Sequence, residues 1–95
     1  MNTIDPVKVL MNEGMDALKS GNLDEAESIF RDFLKSHPDS DLADNACYNL
    51  SKICLKRGDT KKAIEWLDYI LKHYPDSDAA YFAVDDKEEL LKELK

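Results

Sequence analysis

Two histidines and two cysteines are the side chains best suited to catalysis or metal binding in this chain of 95 residues. His37 precedes Pro38, and His73 precedes the pair Tyr74-Pro75, so each histidine lies in the last turn of a predicted helix. The helix dipole favours a histidine at that place without any catalytic role. The sequence has no Ser-His-Asp order, no His-Glu-x-x-His motif and no glycine-rich phosphate loop. We therefore predict no enzyme activity, no catalytic residue, no metal site and no cofactor.

The cysteines offer neither a disulfide nor a metal site. Cys47 and Cys54 are seven residues apart, so on one helix their Cα atoms lie about 10.5 Å apart. A disulfide requires Cα atoms closer than about 7 Å. No histidine or further cysteine lies one turn away to complete a metal site. We predict two buried free thiols, which are typical of a reducing compartment.

Composition narrows the classes of function further. Hydrophobic residues make up 43% of the chain and charged residues 35%, which is too apolar for a disordered segment and too charged for a membrane protein. Thirteen basic and 20 acidic residues give a net charge of −7, which repels nucleic-acid phosphates. The N-terminus has no basic and apolar signal segment, and no apolar run is long enough to span a membrane. We expect a single-domain cytoplasmic protein with no nucleic-acid partner and no membrane insertion; a periplasmic origin stays open.

The chain repeats itself after 37 residues. The stretch His37–Ala43 returns as Tyr74–Ala80, in both cases around the letters PDSD. Gly21 returns as Gly58. Positions at which the two units differ are mostly apolar in both. Self-similarity at a fixed period is the signature of repeat architectures, in which each unit buries its apolar face against its neighbours.

Each unit reads as two helices. In the first unit, Asp5 and Pro6 predict a helix start, Gly21 predicts its end, and a second helix is predicted over about 24–36. In the second unit we predict helices from Ser40 or Asp41 to about 57 and over about 60–74. A fifth helix is predicted over about 78–95 as a terminal cap with a polar outer face. One unbroken helix and two pieces that meet near residue 85 are both open.

These residues resemble the tetratricopeptide repeat, whose pattern is W-x2-L-G-x2-Y, then A-x3-F, then P. The second unit has Cys47, Leu50-Ser51 and Cys54 in the first part, followed by Ala63-x3-Leu67 and Pro75. The resemblance implies an all-α, right-handed fragment of an α-solenoid. Its parts are repeat 1 over about 6–38, repeat 2 over about 41–75 and a capping helix over about 78–95. The period of 37 instead of 34 is similar to repeats of bacterial cell-envelope proteins, and indicates a bacterial origin.

The resemblance also implies a function, which is to bind a peptide or helix of a partner protein in a concave groove. Helical spacing agrees, because the groove residues of the second unit form one stripe opposite the apolar face. The asparagines are expected to bond a peptide backbone, and the lysines to attract a carboxylate. The predicted groove residues are Met11, Asn12, Met15, Asn45, Tyr48, Asn49, Lys52 and Lys56. The alternative is that this stripe is an ordinary solvated helix face.

Two further expectations concern partners. The chain does not match the carboxylate clamp of chaperone-binding relatives. Met11 and Met15 stand where that clamp has Lys and Asn in the first unit. In the third unit, Phe82 and Asp86 replace its basic residues. Binding of chaperone tails is therefore not expected. The rival to peptide binding is self-assembly within a larger bacterial complex, because a short array leaves apolar end surfaces. The candidate residues for a homodimer contact are Trp66, Tyr69 and Phe82.

Overall fold

The computed structural model describes residues 4–94, which form five α-helices and no strand. They are α1 (Pro6–Lys19), α2 (Leu23–Ser36), α3 (Ala43–Lys56), α4 (Thr60–His73) and α5 (Asp78–Glu93). Four helices form two successive pairs of equal helix length, and α5 begins a third unit. The predicted all-α repeat fold is therefore confirmed. None of these helices combines the length and the apolar content that a membrane span requires.

The predicted signals at the start and turn of each unit have the expected geometry. The Asp5 carboxylate accepts a hydrogen bond of 3.0 Å from the backbone N–H of Val7, and Pro6 is the first residue of α1. Gly21 and Gly58 have φ angles of 83° and 77°. Only glycine adopts this left-handed conformation without steric cost, so both turns between paired helices require it.

The start of α3 differs from the prediction. The helix begins at Ala43, and the Ser40 hydroxyl accepts a 3.1 Å hydrogen bond from Leu42 N–H within the preceding turn. Residues 41 and 42 belong to this turn and not to the helix, although Ser40 accepts from the N–H two residues on, as Asp5 does at the start of α1. Ser77 lies one period later and caps α5 directly, because its hydroxyl accepts from the N–H of Ala80. Equivalent serines thus serve a turn in one unit and a helix cap in the next.

The fifth helix is unbroken from Asp78 to Glu93. The acidic interruption in its middle is held by tertiary partners: Asp86 accepts a hydrogen bond from Tyr48, and Lys87 pairs with Asp68 of α4 at 2.6 Å. The prediction of a polar outer face for this helix is wrong. Five large apolar side chains are at least 43% exposed there, namely Tyr81, Phe82, Val84, Leu91 and Leu94.

The five helices form two layers. Helices α1, α3 and α5 contact one another in series, and this row is called the first layer here. Helices α2 and α4 form the second layer; α2 packs on α1 and α3, and α4 packs on α3 and α5. Each second-layer helix therefore lies across a pair of first-layer helices, and the array is elongated, with extents of 53 × 30 × 19 Å.

The core lies between the layers in two adjoining clusters. The first joins α1, α2 and part of α3, with Phe30 and Phe33 fully buried. The second joins α3, α4 and α5, with Leu67 and Ile70 buried to the same degree. Trp66 packs against both clusters. The apolar side chains of each helix pair thus fill the space between the layers.

Candidate functional site

The predicted stripe on α3 lies on one face of the helix. Asn45, Tyr48, Lys52 and Lys56 follow one another at spacings of three, four and four residues, which places them on one line along a helix. Asn45 and both lysines are exposed, and Tyr48 is half-buried. These four residues are called the α3 stripe below. They present two cations, an amide and an aromatic ring on the middle helix of the first layer.

Tyr48 is held in place from two sides. Its hydroxyl donates a hydrogen bond to the Asp86 carboxylate of α5. The Lys52 ammonium lies 5.2 Å from the centroid of the Tyr48 ring, a distance at which a cation is attracted to the ring face. Burial raises the pKa of Tyr48 to about 12, and the hydrogen bond to Asp86 raises it in the same sense. The phenol therefore stays protonated and keeps donating at neutral pH.

A cavity of about 240 Å³ opens next to this tyrosine, between α3, α4 and α5. Tyr48, Lys52 and Asp86 line it together with Leu55 and Glu89. Sequence reasoning did not single out the last two. The signal for Leu55 was available, since it follows Lys52 by three residues on the same helix face, and it is 40% exposed. An apolar side chain therefore accompanies the lysines at this end of α3.

The remaining predicted groove residues are divided by burial. Asn12 and Met15 are exposed on α1. Met11 is only 4% exposed and packs in the first core cluster, so it does not present an apolar wall to solvent. Asn49 is 7% exposed although Asn12, one period earlier, is open. The physical reason is that α3 has a first-layer helix on each side, α1 and α5. Among the described helices, the first-layer neighbour of α1 is α3 alone.

The predicted self-association residues do not form one cluster. Trp66 is half-buried on α4, 5.3 Å from the Arg31 guanidinium and 5.6 Å from the Tyr69 ring. Phe82 is 56% exposed on α5, and its aromatic neighbour is Tyr81, at 5.4 Å. The structure thus contains two separate aromatic pairs on different helices.

The residues with potential for catalysis have structural surroundings. The ring centroids of His37 and Phe33 lie 5.5 Å apart, and those of His73 and Tyr69 lie 4.1 Å apart. Both cysteines are free, as predicted, but only Cys47 is buried and Cys54 is half-buried, contrary to the prediction of two buried thiols. Burial, followed by the Asp44 charge, raises the pKa of the Cys47 thiol to about 12, so the reactive thiolate is disfavoured at neutral pH. Within residues 4–94 no three histidine, cysteine or acidic side chains are grouped so that they could hold a metal ion.

Comparison with known families identifies the repeat. A family model described as the tetratricopeptide repeat matches residues 17–84, from the last turn of α1 into α5. The match covers more than half of the chain. A comparison with curated proteins found no matching relative.

Proposed function

The chain belongs to the tetratricopeptide repeat family, and from this we propose that it is a small adaptor that holds a partner protein's peptide or helix on the α3 stripe. Tetratricopeptide repeats generally mediate protein–protein interactions and are typically non-catalytic.

The observation that carries the proposal is the fixed position of Tyr48. Its hydroxyl is bonded to Asp86 and its ring lies beside the Lys52 ammonium. A tyrosine whose rotamer is already fixed loses little conformational entropy when a ligand contacts it. Exposed polar groups for a ligand lie one turn away on either side, at Asn45 and Lys52. A tyrosine fixed from two sides in this way is not expected on an ordinary solvated helix face.

The side chains around Tyr48 indicate the chemistry of the bound segment. An asparagine amide such as that of Asn45 both donates and accepts, so it can pair with a peptide backbone. Lys52 and Lys56 supply positive charge in a chain that is acidic overall, which favours an acidic side chain or a C-terminal carboxylate. Met15 and Leu55 are 38% and 40% exposed and add apolar contact area. We therefore expect a segment with both apolar and acidic residues.

Self-assembly through a homodimer is the second candidate. The exposed aromatic pair Tyr81–Phe82 favours it, because apolar side chains at the end of an array can pair with a second copy. The net charge of −7 opposes it, since it repels a second copy of the chain. For the location we propose a reducing compartment such as the cytoplasm, and the two free thiols support it.

Affinity capture from lysate of the source cells, followed by mass spectrometry, tests the α3 stripe. The test variant is Lys52→Glu/Lys56→Glu. The matched control is Lys61→Glu/Lys72→Glu, which makes the same charge change at exposed positions of α4. We expect one or more proteins to be captured by the wild type and by the α4 variant and to be lost with the α3 variant.

Equal capture by all three proteins would contradict binding at the α3 stripe. Sedimentation equilibrium over a wide concentration range measures the oligomeric state and so tests self-assembly. A monomer at every concentration contradicts self-assembly, and a dimer that is broken by substitution of Phe82 supports it.

A further inference from the structure

The fifth helix presents a face that the other first-layer helices bury. Val84, Glu88 and Leu91 lie one period after Cys47, Ser51 and Cys54 of α3, and two periods after Leu10, Gly14 and Ala17 of α1. In α1, Gly14 is covered by the Phe30 ring of α2. In α3, Cys47 packs in one cluster with the α4 side chains. At these positions α1 and α3 therefore each receive a second-layer helix.

No described helix covers the corresponding face of α5. Val84 and Leu91 are 47% and 43% exposed, and Tyr81 at the start of the same line is 76% exposed. Helix α5 contacts only α3 and α4 among the described helices. Tyr81, Val84, Glu88 and Leu91 follow at spacings of three, four and three residues and are called the open face of α5 here. Apolar side chains in such a line are typical of a helix that packs against another helix.

We propose that the open face of α5 binds one amphipathic, basic helix of a partner protein. The helix packs there as α2 packs on α1 and α4 packs on α3. Both second-layer helices present a small residue followed by two large ones, with Ala26, Phe30 and Phe33 in α2 and Ala63, Leu67 and Ile70 in α4. The same apolar pattern is expected on the partner helix. This binding is distinct from that on the α3 stripe and does not depend on it.

The charges of α5 select a basic partner. Glu88 is exposed on the open face and Asp85 is exposed beside it, whereas Glu89 lies farther round the helix and lines the cavity next to Tyr48. One exposed cation, Lys92, lies 3.5 Å from Glu89 and offsets part of that charge. Glu88 occupies the place of Gly14, where α1 receives the Phe30 ring, and of Ser51 one period later. A lysine or arginine on the partner helix is the residue that complements a carboxylate at that central position.

The same charge disfavours a second copy of the chain as the occupant. In a two-fold pair of α5 helices, the residues at the centre of the contact meet their own twins. The centre of the open face lies between Val84 and Glu88, so such a pair brings the two Glu88 carboxylates close to its axis. Like charges placed opposite each other at an interface are unfavourable. A partner of opposite charge avoids this repulsion.

Two synthetic peptides test the proposal. Both copy the sequence of Thr60–His73, carry a fluorophore and are stapled so that they are helical, because a free helix of this length is marginal in water. The basic peptide carries Glu65→Lys and Asp68→Lys, and its acidic twin carries Lys61→Glu and Lys62→Glu. Fluorescence anisotropy with the full chain should show the basic peptide binding at least about tenfold more tightly than the twin.

Three protein variants locate the binding. Val84→Asp is expected to weaken binding of the basic peptide by at least about tenfold. The matched control is Val9→Asp, at a valine of α1 that is 41% exposed, and it should leave binding unchanged. Glu88→Lys should shift the preference towards the acidic peptide. Lys52→Glu/Lys56→Glu should have no effect, which separates this proposal from binding at the α3 stripe. Circular dichroism confirms that each variant keeps the helical content of the wild type.

Three outcomes would overturn the proposal. One is the absence of measurable binding of the basic peptide to the wild type. Another is binding that Val84→Asp and Val9→Asp weaken equally. The third is a dimer of the wild type that Val84→Asp dissociates, because that result assigns the open face to a second copy of the chain.

Discussion

The two repeats solve the same packing problem with different pairs of residues. In repeat 1, a Cβ atom added at Gly14 would lie 2.7 Å from Cε1 of the buried Phe30 ring. One period later the equivalent residues are Ser51 and Leu67, which both line the cavity next to Tyr48. The Ser51 hydroxyl donates a 2.6 Å hydrogen bond to the carbonyl oxygen of Tyr48. In repeat 1 the large Phe30 of the second-layer helix thus corresponds to a glycine on the first-layer helix. In repeat 2 the smaller Leu67 corresponds to a serine.

The difference shows why the repeat pattern tolerates variation at these positions. A core is filled to a nearly constant density, so the combined volume of two facing residues matters more than either identity. Gly14 is therefore selected by its contact with Phe30, and not by a turn or a positive φ angle. The two pairs should be interchangeable as pairs and incompatible when mixed.

The largest effect is expected from truncation of the facing large residue. Phe30→Ala should lower the free energy of unfolding by about 3–5 kcal/mol, and Leu67→Ala by a smaller amount of about 2–4 kcal/mol. The reason is that Gly14 has no side chain that could occupy the space left by the ring. Urea denaturation followed by circular dichroism measures both values. A larger loss for Leu67→Ala than for Phe30→Ala would contradict this view of the two pairs.

Mixing the pairs is expected to have the next largest effect. Gly14→Ser should lower the free energy of unfolding by about 1–3 kcal/mol, since the added atoms overlap the buried ring. The gain in helix propensity on replacing glycine offsets only about 0.5 kcal/mol of this. In the double variant Gly14→Ser/Phe30→Leu, most of the loss should be restored, which a double-mutant cycle quantifies.

Ser51→Gly is the matched control for this cycle. It creates no overlap, and its loss should stay at about 1 kcal/mol, from reduced helix propensity and the missing hydrogen bond. A Gly14→Ser variant as stable as the wild type would show that the Phe30 ring moves freely, against its complete burial.

A smaller effect is expected where the repeats join. Tyr74 donates a 2.8 Å hydrogen bond from its hydroxyl to the Pro38 carbonyl oxygen, which links the two PDSD turns. Tyr74→Phe should therefore lower the free energy of unfolding by about 0.5–1.5 kcal/mol. His37 is the equivalent residue of repeat 1, and its ring is tilted by 58° against the Phe33 ring, with the ring centroids 5.5 Å apart. His37→Phe keeps an aromatic ring there and should change stability less. Thermal denaturation of the two variants distinguishes the positions, and equal losses would contradict the role of the hydroxyl.

The smallest effect concerns an ion cluster in which Arg57 of repeat 2 bonds Glu27 and Asp24 of repeat 1. Hydrogen bonds from Arg57, and then from Arg31, lower the pKa of Glu27, whereas the equivalent residue of repeat 2 is Ile64. A carboxylate with a lowered pKa stabilises the fold above its usual pKa of 4.5, and this contribution is lost as the pH falls through the lowered value. Exposed pairs contribute little, so the effect is small.

Arg57→Gln tests this contribution. The stability difference between wild type and Arg57→Gln should be largest near neutral pH and should shrink as the pH falls below about 4.5, because both proteins then carry a protonated Glu27. Denaturant midpoints at several pH values measure it, and Lys72→Gln serves as the control for the loss of one surface cation. A difference that is independent of pH would show that Glu27 is not stabilised by Arg57.

Features with a local cause could be predicted from the sequence. The structure has the turn glycines and the Asp5–Pro6 helix start as expected, because each depends on residues close in the chain. It also has the 37-residue period, which is visible in the sequence itself. The α3 stripe also follows from helical spacing alone. Such signals fix the helices and therefore the order of the array.

Features that depend on neighbours could not be predicted. Ser40 and Ser77 occupy equivalent positions, yet one supports a turn and the other caps a helix. Asn12 and Asn49 are equivalent as well, but only α3 has first-layer helices on both sides. The open face of α5 was missed for the same reason. Periodicity identifies the face that a repeat buries, but exposure is decided by which helices are present to cover it.

The most direct test of partner binding at the α3 stripe is site-specific photo-cross-linking in the source cells. A photoreactive phenylalanine derivative is placed at Asn45 in one variant and at Lys61 of α4, which is also exposed, in the other. We expect the derivative at position 45 to cross-link to another protein and the one at position 61 not to do so. Equal cross-linking from both positions would contradict partner binding at the α3 stripe. So would products from position 45 that contain only a second copy of the 10.8 kDa chain.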